Sequence, residues 1–174
     1  GLSEIEIYGE ESDIEAAENK NHVNAAGVTA EASTTEASSL PVSNIKDGNN
    51  QTRWASDYSE ASKQTVTVTF PKVTLVKELD FDLHTRDVAP MPSNVKSFDL
   101  VYADAAGTEH TVKISNAKST ESGKTGYVTN VQHIFETPVY MKSFKMTNFD
   151  LQIDIEGQNG YNNISILEVR AYSN

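Results

Sequence analysis

The stretch Asp47-Gly48-Asn49-Asn50-Gln51-Thr52-Arg53-Trp54 places oxygen-bearing side chains around a glycine turn that ends on the single tryptophan. Calcium takes roughly six to eight oxygen ligands from carboxylates, hydroxyls and carbonyls, and an Asp and a Thr in one curled loop can face the same ion. Glu168, in the closing segment 165–172, could add a second carboxylate. Asp-Gly and Asn-Asn are also common turn formers that need no metal. The residues alone therefore leave a calcium loop and a metal-free Asx turn open.

Composition excludes several classes of function. The 174 residues carry a net charge of −11, which disfavours binding to nucleic acid and to anionic lipid and suits a cation or a neutral ligand. The absence of cysteine rules out disulfides, thiolate zinc sites and cysteine nucleophiles. No run of about 18 apolar residues and no signal peptide is visible, so we expect a soluble fragment whose export signal lies upstream.

Alternating apolar residues predict short, half-buried strands, with turns of Pro, Gly and Asn between them. Asp80 and Asp82 alternate with apolar neighbours, which places them on a solvent-exposed strand face rather than in a catalytic cleft. Ala105-Ala106-Gly107 predicts a hairpin turn. An all-β, antiparallel sandwich follows. The apolar positions that carry this pattern are Val66/Val68/Phe70, Leu79/Phe81/Leu83, Phe98/Leu100/Tyr102, Val112/Ile114, Phe144/Met146 and Ile164/Ile166.

The chain divides into three predicted parts. Residues 1–9 resemble the closing segment 166–173, which indicates the last strand of a preceding, similar module or a chance likeness of two amphipathic strands. Residues 10–23 form a linker, with a short exposed helix over residues 12–20. Residues 24–174 form the β-sandwich domain, in which we expect Trp54 to be buried.

Four segments, taken in order, resemble the family 32 carbohydrate-binding modules, relatives of discoidin and of coagulation-factor C-type domains. They are Asn44-Ile45-Lys46-Asp47-Gly48, Thr52-Arg53-Trp54, the strand at residues 65–70 and Ile166-Leu167-Glu168-Val169. The resemblance spans about residues 24–173 and implies a jelly-roll-like, galactose-binding-domain-like β-sandwich with one structural calcium. The implied ligands are the side chains of Asp47, Thr52 and Glu168 and the backbone carbonyls of Asn44, Asn49 and Leu167.

The resemblance also implies a sugar site in loops at one end of the sandwich. The matching residues are Tyr58, Arg86, Asn94 and Tyr161. Aromatic planes cover the apolar face of a sugar, and Arg and Asn supply donors and acceptors for a vicinal diol. Ala55 stands where galactose-binding members have a His that would bond an axial 4-hydroxyl. We therefore expect terminal N-acetylglucosamine to be favoured over galactose.

The function that the resemblance implies is that of a noncatalytic module, which tethers a secreted, glycan-degrading bacterial enzyme to terminal sugars of host glycans. Its other partners would be the catalytic domain and sibling modules of the same polypeptide, with neither nucleic acid binding nor membrane insertion, and we expect a monomer. The sequons at Asn50 and Asn163 lie in the predicted binding loops, where a glycan would obstruct the site, which also favours a bacterial source.

Two other functions fit the sequence. A discoidin-like adhesion module would use the loop Val88–Pro92 to insert into lipid or to grip a protein, although the acidic charge disfavours anionic membranes. A purely structural spacer would keep the calcium-stabilised fold without a working sugar site. Glycan binding that is lost on substitution of Tyr58, Arg86 or Tyr161 would distinguish the carbohydrate-binding module from both.

Overall fold

The computed structural model describes residues 20–84, 94–119, 128–155, 158–159 and 162–174. Within these ranges the secondary structure is almost entirely β, which confirms the predicted fold class, and no helix is long and apolar enough to cross a membrane. Two short 3-10 helices lie at Val42–Lys46 and Ala61–Lys63. The strands are β1 (Thr29–Ala32), β2 (Trp54–Ala55), β3 (Val66–His84), β4 (Asn94–Asp104), β5 (Glu109–Ser115), β6 (Val128–Gln152), β7 (Asp154–Ile155), β8 (Gln158–Asn159) and β9 (Ser165–Tyr172).

Seven of these strands form one antiparallel sheet in the order β2-β9-β3-β6-β4-β5, with β1 added beside β3. The long strands β3 and β6 bend where their register shifts, between Thr69 paired with Ser143 and Thr74 paired with Met141. Pro71 lies in this interval and has no N–H to continue the ladder. The first half of β3 therefore pairs with β1, and the second half pairs with β9.

The bend makes the sheet close on itself as two layers. Phe81 of β3 packs edge-on against Phe98 of β4 with ring centroids 5.0 Å apart, although β3 and β4 share no ladder. Phe98 also contacts Phe149 at 5.6 Å. This is the predicted sandwich, and the apolar positions that alternate in the sequence fill its interior. Trp54 is fully buried there, as expected.

The segment before β1 packs on the sandwich from Asn21 onward. The side-chain oxygen of Asn21 accepts from the backbone N–H of Ala171 at 3.1 Å, and the N–H of His22 donates to the carbonyl of Ala171 at 2.9 Å. Val23 is fully buried. Residues 21–23 of the predicted linker thus contact β9, while residues 1–19, with the predicted strand and helix, lie outside the described residues.

The expected solvent exposure of Asp80 and Asp82 is wrong. Asp80 is only 7% exposed, and Asp82 is half-buried. Arg170 of β9 lies across them: its guanidinium donates to both oxygens of Asp82 at 2.7 and 2.9 Å, and its Nε lies 3.9 Å from Asp80 Oδ2. Asp80 and Asp82 do alternate with buried apolar residues, but a cross-strand arginine covers their face of the sheet.

Candidate functional site

The loop that follows the first 3-10 helix is held by its own polar groups. The N–H of Asn49 donates to Asp47 Oδ1 at 2.8 Å, which makes an Asx turn, and Thr52 Oγ1 donates to the carbonyl of Asn49 at 2.9 Å. Gly48 has φ +72°, a conformation that a residue without a Cβ adopts at no steric penalty. The loop therefore curls so that Asp47 and Thr52 meet.

The end of the chain joins this loop through Glu168 of β9. Glu168 is 2% exposed, and its Oε1 accepts from the N–H of Asn49 at 3.1 Å. Thr52 Oγ1 also contacts Asp47 Oδ2 at 2.5 Å. The structure thus brings together four of the predicted metal-site residues, which we call the loop clamp: Asp47, Asn49, Thr52 and Glu168.

The two carboxylates of the loop clamp face one another. Burial, followed by the adjacent Asp47, raises the pKa of Glu168 to about 8. Burial also opposes ionisation of Asp47, but hydrogen bonds from Glu168, Thr52 and Asn49 outweigh it and hold the pKa of Asp47 below its usual range. Among the described residues, no cationic side chain is a leading cause of either shift. A single proton on Glu168, directed at Asp47, therefore satisfies the pair.

The two remaining predicted ligands border the same region. Asn44 ends up beside the loop because its Nδ2 donates to the carbonyl of Arg53 at 2.8 Å. Leu167 is the extra residue of a β-bulge, since Leu83 pairs with Ile166 while its neighbour Asp82 pairs with Glu168. β-Bulges are common beside functional sites, where they change the direction of the backbone or of a side chain. Asn44 and Leu167 line one cavity of about 380 Å³ together with Thr52.

The acidic part of the clamp is limited to two side chains. Across the described ranges, no three His, Cys, Asp or Glu side chains lie close enough together to hold a metal. A cation at the clamp would therefore take two carboxylates, one hydroxyl and backbone carbonyls. All of these are oxygen donors, which suit a hard cation such as calcium rather than zinc.

A second polar constellation surrounds Tyr58, whose side chain is 50% exposed. The Tyr58 hydroxyl donates to Glu36 Oε1 at 2.9 Å, and Asn163 Nδ2 donates to Glu36 Oε2 at 3.2 Å. Asn163 also donates to the carbonyl of Ser56 at 3.2 Å. The result is an open aromatic face edged by a fixed carboxylate and an amide, which we call the tyrosine face.

Backbone bonds fix the tyrosine face from below. The N–H of Glu36 donates to the carbonyl of Ala55 at 2.9 Å, and Ser56 exchanges hydrogen bonds with Ile164 through its N–H at 3.0 Å and its hydroxyl at 2.9 Å. Sequence reasoning missed Glu36 and noted Asn163 only as a sequon. Glu36 lies 22 residues before Tyr58 in a Ser- and Thr-rich segment, where nothing distinguishes it from a surface acid.

The other predicted sugar-binding residues are placed differently. Arg86 and Tyr161 lie outside the described residues, as does the loop Val88–Pro92. Asn94 is 3% exposed at the start of β4. Its Oδ1 accepts from the N–H of Val95 at 2.8 Å, and its Nδ2 donates to Thr129 Oγ1 at 3.3 Å. Asn94 thus braces β4 against β6, and its contact with a sugar stays a prediction.

The model of the F5/8 type C domain family matches residues 29–169. That range contains the whole loop clamp and the whole tyrosine face. A search of curated proteins finds no match.

Solved structures with the same fold include several carbohydrate-binding modules. The family 32 module of NanJ from C. perfringens, solved with galactose, has a TM-score of 0.61 and 19% identity over 87% of this chain and 98% of its own. Module CBM32-1 of a family 31 glycoside hydrolase from Clostridium perfringens has a TM-score of 0.61 and 18% identity over 89% of this chain and 98% of its own. The CBM32 of AlyQ, solved with 4,5-unsaturated mannuronic acid, has a TM-score of 0.54 and 18% identity over 84% of this chain and 95% of its own. At these identities the likeness shows a shared fold.

Proposed function

The chain belongs to the F5/8 type C domain family, and on that premise we propose that it is a noncatalytic module that binds a terminal sugar of a glycan. The observation that carries the proposal is the tyrosine face. Tyr58 offers an exposed ring, and Glu36 and Asn163 are fixed at its edge. A sugar needs this combination of an apolar plane for its C–H groups and oriented polar groups for its hydroxyls.

The sugar proposed for this face is N-acetylglucosamine in preference to galactose. Ala55 is buried and has no polar side chain with which to bond an axial 4-hydroxyl, whereas a gluco-configured sugar places that hydroxyl equatorially. Arg86, Asn94 and Tyr161 are proposed to complete the site alongside Tyr58. A few hydrogen bonds of this kind give binding in the micromolar to millimolar range, because each replaces a bond to water.

We also propose that the loop clamp holds a structural calcium ion. The side chains of Asp47, Thr52 and Glu168 and the carbonyls of Asn44, Asn49 and Leu167 would be its ligands. Their fit rests on the two facing carboxylates, Asp47 and Glu168, because the leading causes of their pKa shifts among the described residues are burial, each other and hydrogen bonds. When bound, the ion would neutralise this pair and tie the loop that leads to Trp54 to the strand that ends the domain.

The biological role proposed for the module is to keep a secreted, glycan-degrading bacterial enzyme close to its substrate. Attachment of a binding module raises the local concentration of substrate at a linked catalytic domain without any new contact. The module of the family 31 glycoside hydrolase with the same fold supports this role. Host glycans are the proposed ligands, and the catalytic domain and sibling modules of one polypeptide are the proposed partners.

A glycan-array screen with calcium, followed by calorimetric titration of the best hit, tests the function. Tyr58→Ala should abolish binding without unfolding the protein, since the ring is half exposed. Tyr140→Ala is the matched control, because Tyr140 is 54% exposed on β6 and should bind as the wild type does. A folded protein that binds no glycan would contradict the proposal and favour the adhesion module or the spacer. A Tyr58→Ala variant that binds glycan normally would contradict the tyrosine face as the binding site.

A further inference from the structure

A single buried amide connects the two segments that form the tyrosine face. We infer that Gln64 is a positioning residue, which holds Tyr58 and Glu36 in the arrangement that binds the sugar. The inference rests on the proposed function and deepens it, because it names the group on which the geometry of that site depends. Gln64 lies between the second 3-10 helix and β3 and is only 2% exposed, so it acts through its neighbours.

The side-chain oxygen of Gln64 holds the segment that carries Glu36. Its Oε1 accepts from Ser33 Oγ at 2.7 Å and from Thr34 Oγ1 at 2.6 Å, and these two donors use both lone pairs of the oxygen. The carbonyl of Thr34 also accepts from Nε1 of the fully buried Trp54 at 3.1 Å. Because Glu36 follows Thr34 by only two residues, this anchorage to the core determines where the carboxylate lies.

The side-chain nitrogen of Gln64 holds the segment that carries Tyr58. Its Nε2 donates to Asp57 Oδ1 at 3.2 Å, and the same oxygen accepts from the N–H of Ser59 at 2.9 Å. The residues on both sides of Tyr58 are therefore fixed. Thr34 adds a second link between the segments, since its Oγ1 also accepts from the N–H of Asp57 at 3.1 Å.

The chemistry of its partners sets the orientation of the Gln64 amide. The N–H of Ser59, first among several donors, holds the pKa of Asp57 below its usual range. Asp57 is therefore ionised at neutral pH and can only accept hydrogen bonds. The NH2 group of Gln64 must face this carboxylate, which leaves the amide oxygen for the two hydroxyls. Reversing the amide would direct its oxygen at the carboxylate of Asp57.

This arrangement has a consequence for binding as well as for folding. The half-exposed Tyr58 meets Glu36 through a hydrogen bond of 2.9 Å, and both belong to segments that Gln64 joins. A site that is ordered before its ligand arrives loses less free energy to ordering when the ligand binds. Gln64 therefore contributes to sugar affinity without contact with the sugar.

The first test is Gln64→Met in the full chain with calcium present. Methionine has a similar length but no group that can join the hydroxyls to Asp57. Chemical-shift titration with N-acetylglucosamine should show about tenfold weaker binding, the equivalent of one hydrogen bond of ordinary strength. The proton signals of the Tyr58 ring should also move in the sugar-free protein, which a change in stability alone would not produce.

Gln132→Met is the matched control. Gln132 lies opposite Asp80 on the paired strands β6 and β3, and its side chain also interacts with a carboxylate. This variant should keep the sugar affinity and the Tyr58 signals of the wild type, whatever it costs in stability. Urea unfolding of both variants would show that the titrated protein is folded.

Two substitutions of Asp57 test the same link from the surface, where folding is not at risk. Asp57→Ala removes the acceptor of the Gln64 amide and should weaken sugar binding several-fold. Asp57→Asn removes the charge but keeps Oδ1 as an acceptor, and it should bind as the wild type does. Equal losses in the two variants would overturn the inference, because the charge of Asp57 rather than its bond to Gln64 would then govern binding.

The inference is also overturned if folded Gln64→Met binds N-acetylglucosamine as tightly as the wild type. Binding that Tyr58→Ala abolishes would in that case leave the proposed function standing. If the wild type binds no N-acetylglucosamine, the proposed ligand fails on its own account. The Tyr58 ring signals then decide the inference: signals that stay in place in Gln64→Met overturn it, and signals that move in this variant alone support it.

Discussion

Two carboxylates on the outer face of β3 and β9, Asp82 and Glu168, are direct partners across the two strands, yet their surroundings differ. Asp82 receives the guanidinium of Arg170 at 2.7 and 2.9 Å. Glu168 faces Asp47 in the loop clamp, and among the described residues no cationic side chain is a leading cause of its pKa shift. The chain thus supplies a counter-charge for one carboxylate and leaves the other to a proton or to an ion from solution.

The difference shows which part of the domain is complete in itself. The ion pair of Arg170 with Asp82 is balanced in charge without a bound ligand. It also connects two paired strands, β3 and β9, that pack on the core. The loop clamp joins a loop and a strand that are 119 residues apart in sequence, and its acidic groups repel one another when both are ionised. Four experiments would break or sharpen this contrast.

Arg170→Met should have the largest effect on stability. The substitution leaves Asp82 and the buried Asp80 without their cation, and breaking a largely buried ion pair costs about 2–3 kcal/mol when its side chains keep some exposure. Urea unfolding at pH 7 would measure the loss. Lys77→Met is the control, since the half-buried Lys77 donates to the backbone carbonyl of Glu136 rather than to a carboxylate, and it should cost far less. Equal losses in the two variants would contradict the special role of Arg170.

Calcium should have the next largest effect. An ion that binds only the folded protein stabilises it by about 2.7 kcal/mol at a hundredfold excess over its Kd, which raises Tm by about 5–10 °C in a domain of this size. Thermal unfolding with calcium and with a chelator would measure it. Glu168→Gln should abolish the rise, and Asp82→Asn should keep it. A rise of the same size in Glu168→Gln would remove the loop clamp as the calcium site.

The calcium-free protein should lose stability as pH rises. Glu168 has a pKa raised to about 8 in the folded protein, well above its usual value, so the folded state binds a proton that the unfolded state has lost. Stability is then full below the usual glutamate pKa and declines up to about pH 8, by at most about 1.4 kcal/mol per pH unit.

Asp80 contributes to the same decline at lower pH. Burial and then the neighbouring Glu78 raise the pKa of Asp80 to about 7, against the attraction of Arg170. The part of the decline between pH 7 and 8 should therefore belong to Glu168. Thermal scans across pH would test this: Glu168→Gln or saturating calcium should flatten that part of the curve, and an unchanged slope in the variant would contradict the assignment.

Thr52→Val should have the smallest effect. Valine keeps the shape of threonine and removes the hydroxyl that contacts Asp47 and the carbonyl of Asn49. We expect a loss below about 1 kcal/mol without calcium, the usual value of one exposed hydrogen bond, and a several-fold weaker calcium affinity by calorimetry. Thr111→Val on β5 is a control that should leave the affinity unchanged. Full affinity in Thr52→Val would exclude its side chain as a ligand.

Much of this arrangement follows from the sequence. The alternation of apolar residues predicted the buried faces of β3 and β4, because each of these strands turns mainly one face to the core. Asp47, Gly48 and Thr52 predicted a curled loop, because local turn chemistry needs only neighbours in sequence. Glu168 was a candidate for the second carboxylate from its place in the closing strand, and the resemblance then implied that it meets this loop.

The sequence could not supply the contacts that depend on cross-strand pairing. Asp80 was expected in solvent because alternation gives the face of a residue but not what covers that face, and its cover is Arg170, 90 residues later. Glu36 was missed for a similar reason. It becomes part of a site only through a bond to Tyr58, and neither residue carries a pattern that points to the other.

The packing of Asn21 and His22 against the end of β9 has a mechanical consequence. His22 bonds to Ala171 through its backbone and to Ser173 through its side chain at 2.7 Å, so tension applied at residues 21 and 173 enters and leaves the domain at neighbouring points. The tyrosine face lies at the opposite end of β9, about 25 Å away at the usual rise per residue. Force transmitted through the polypeptide would thus act at one end of the sandwich. The hydrogen-bonded pair Tyr58 and Glu36, at the other end, would keep its arrangement.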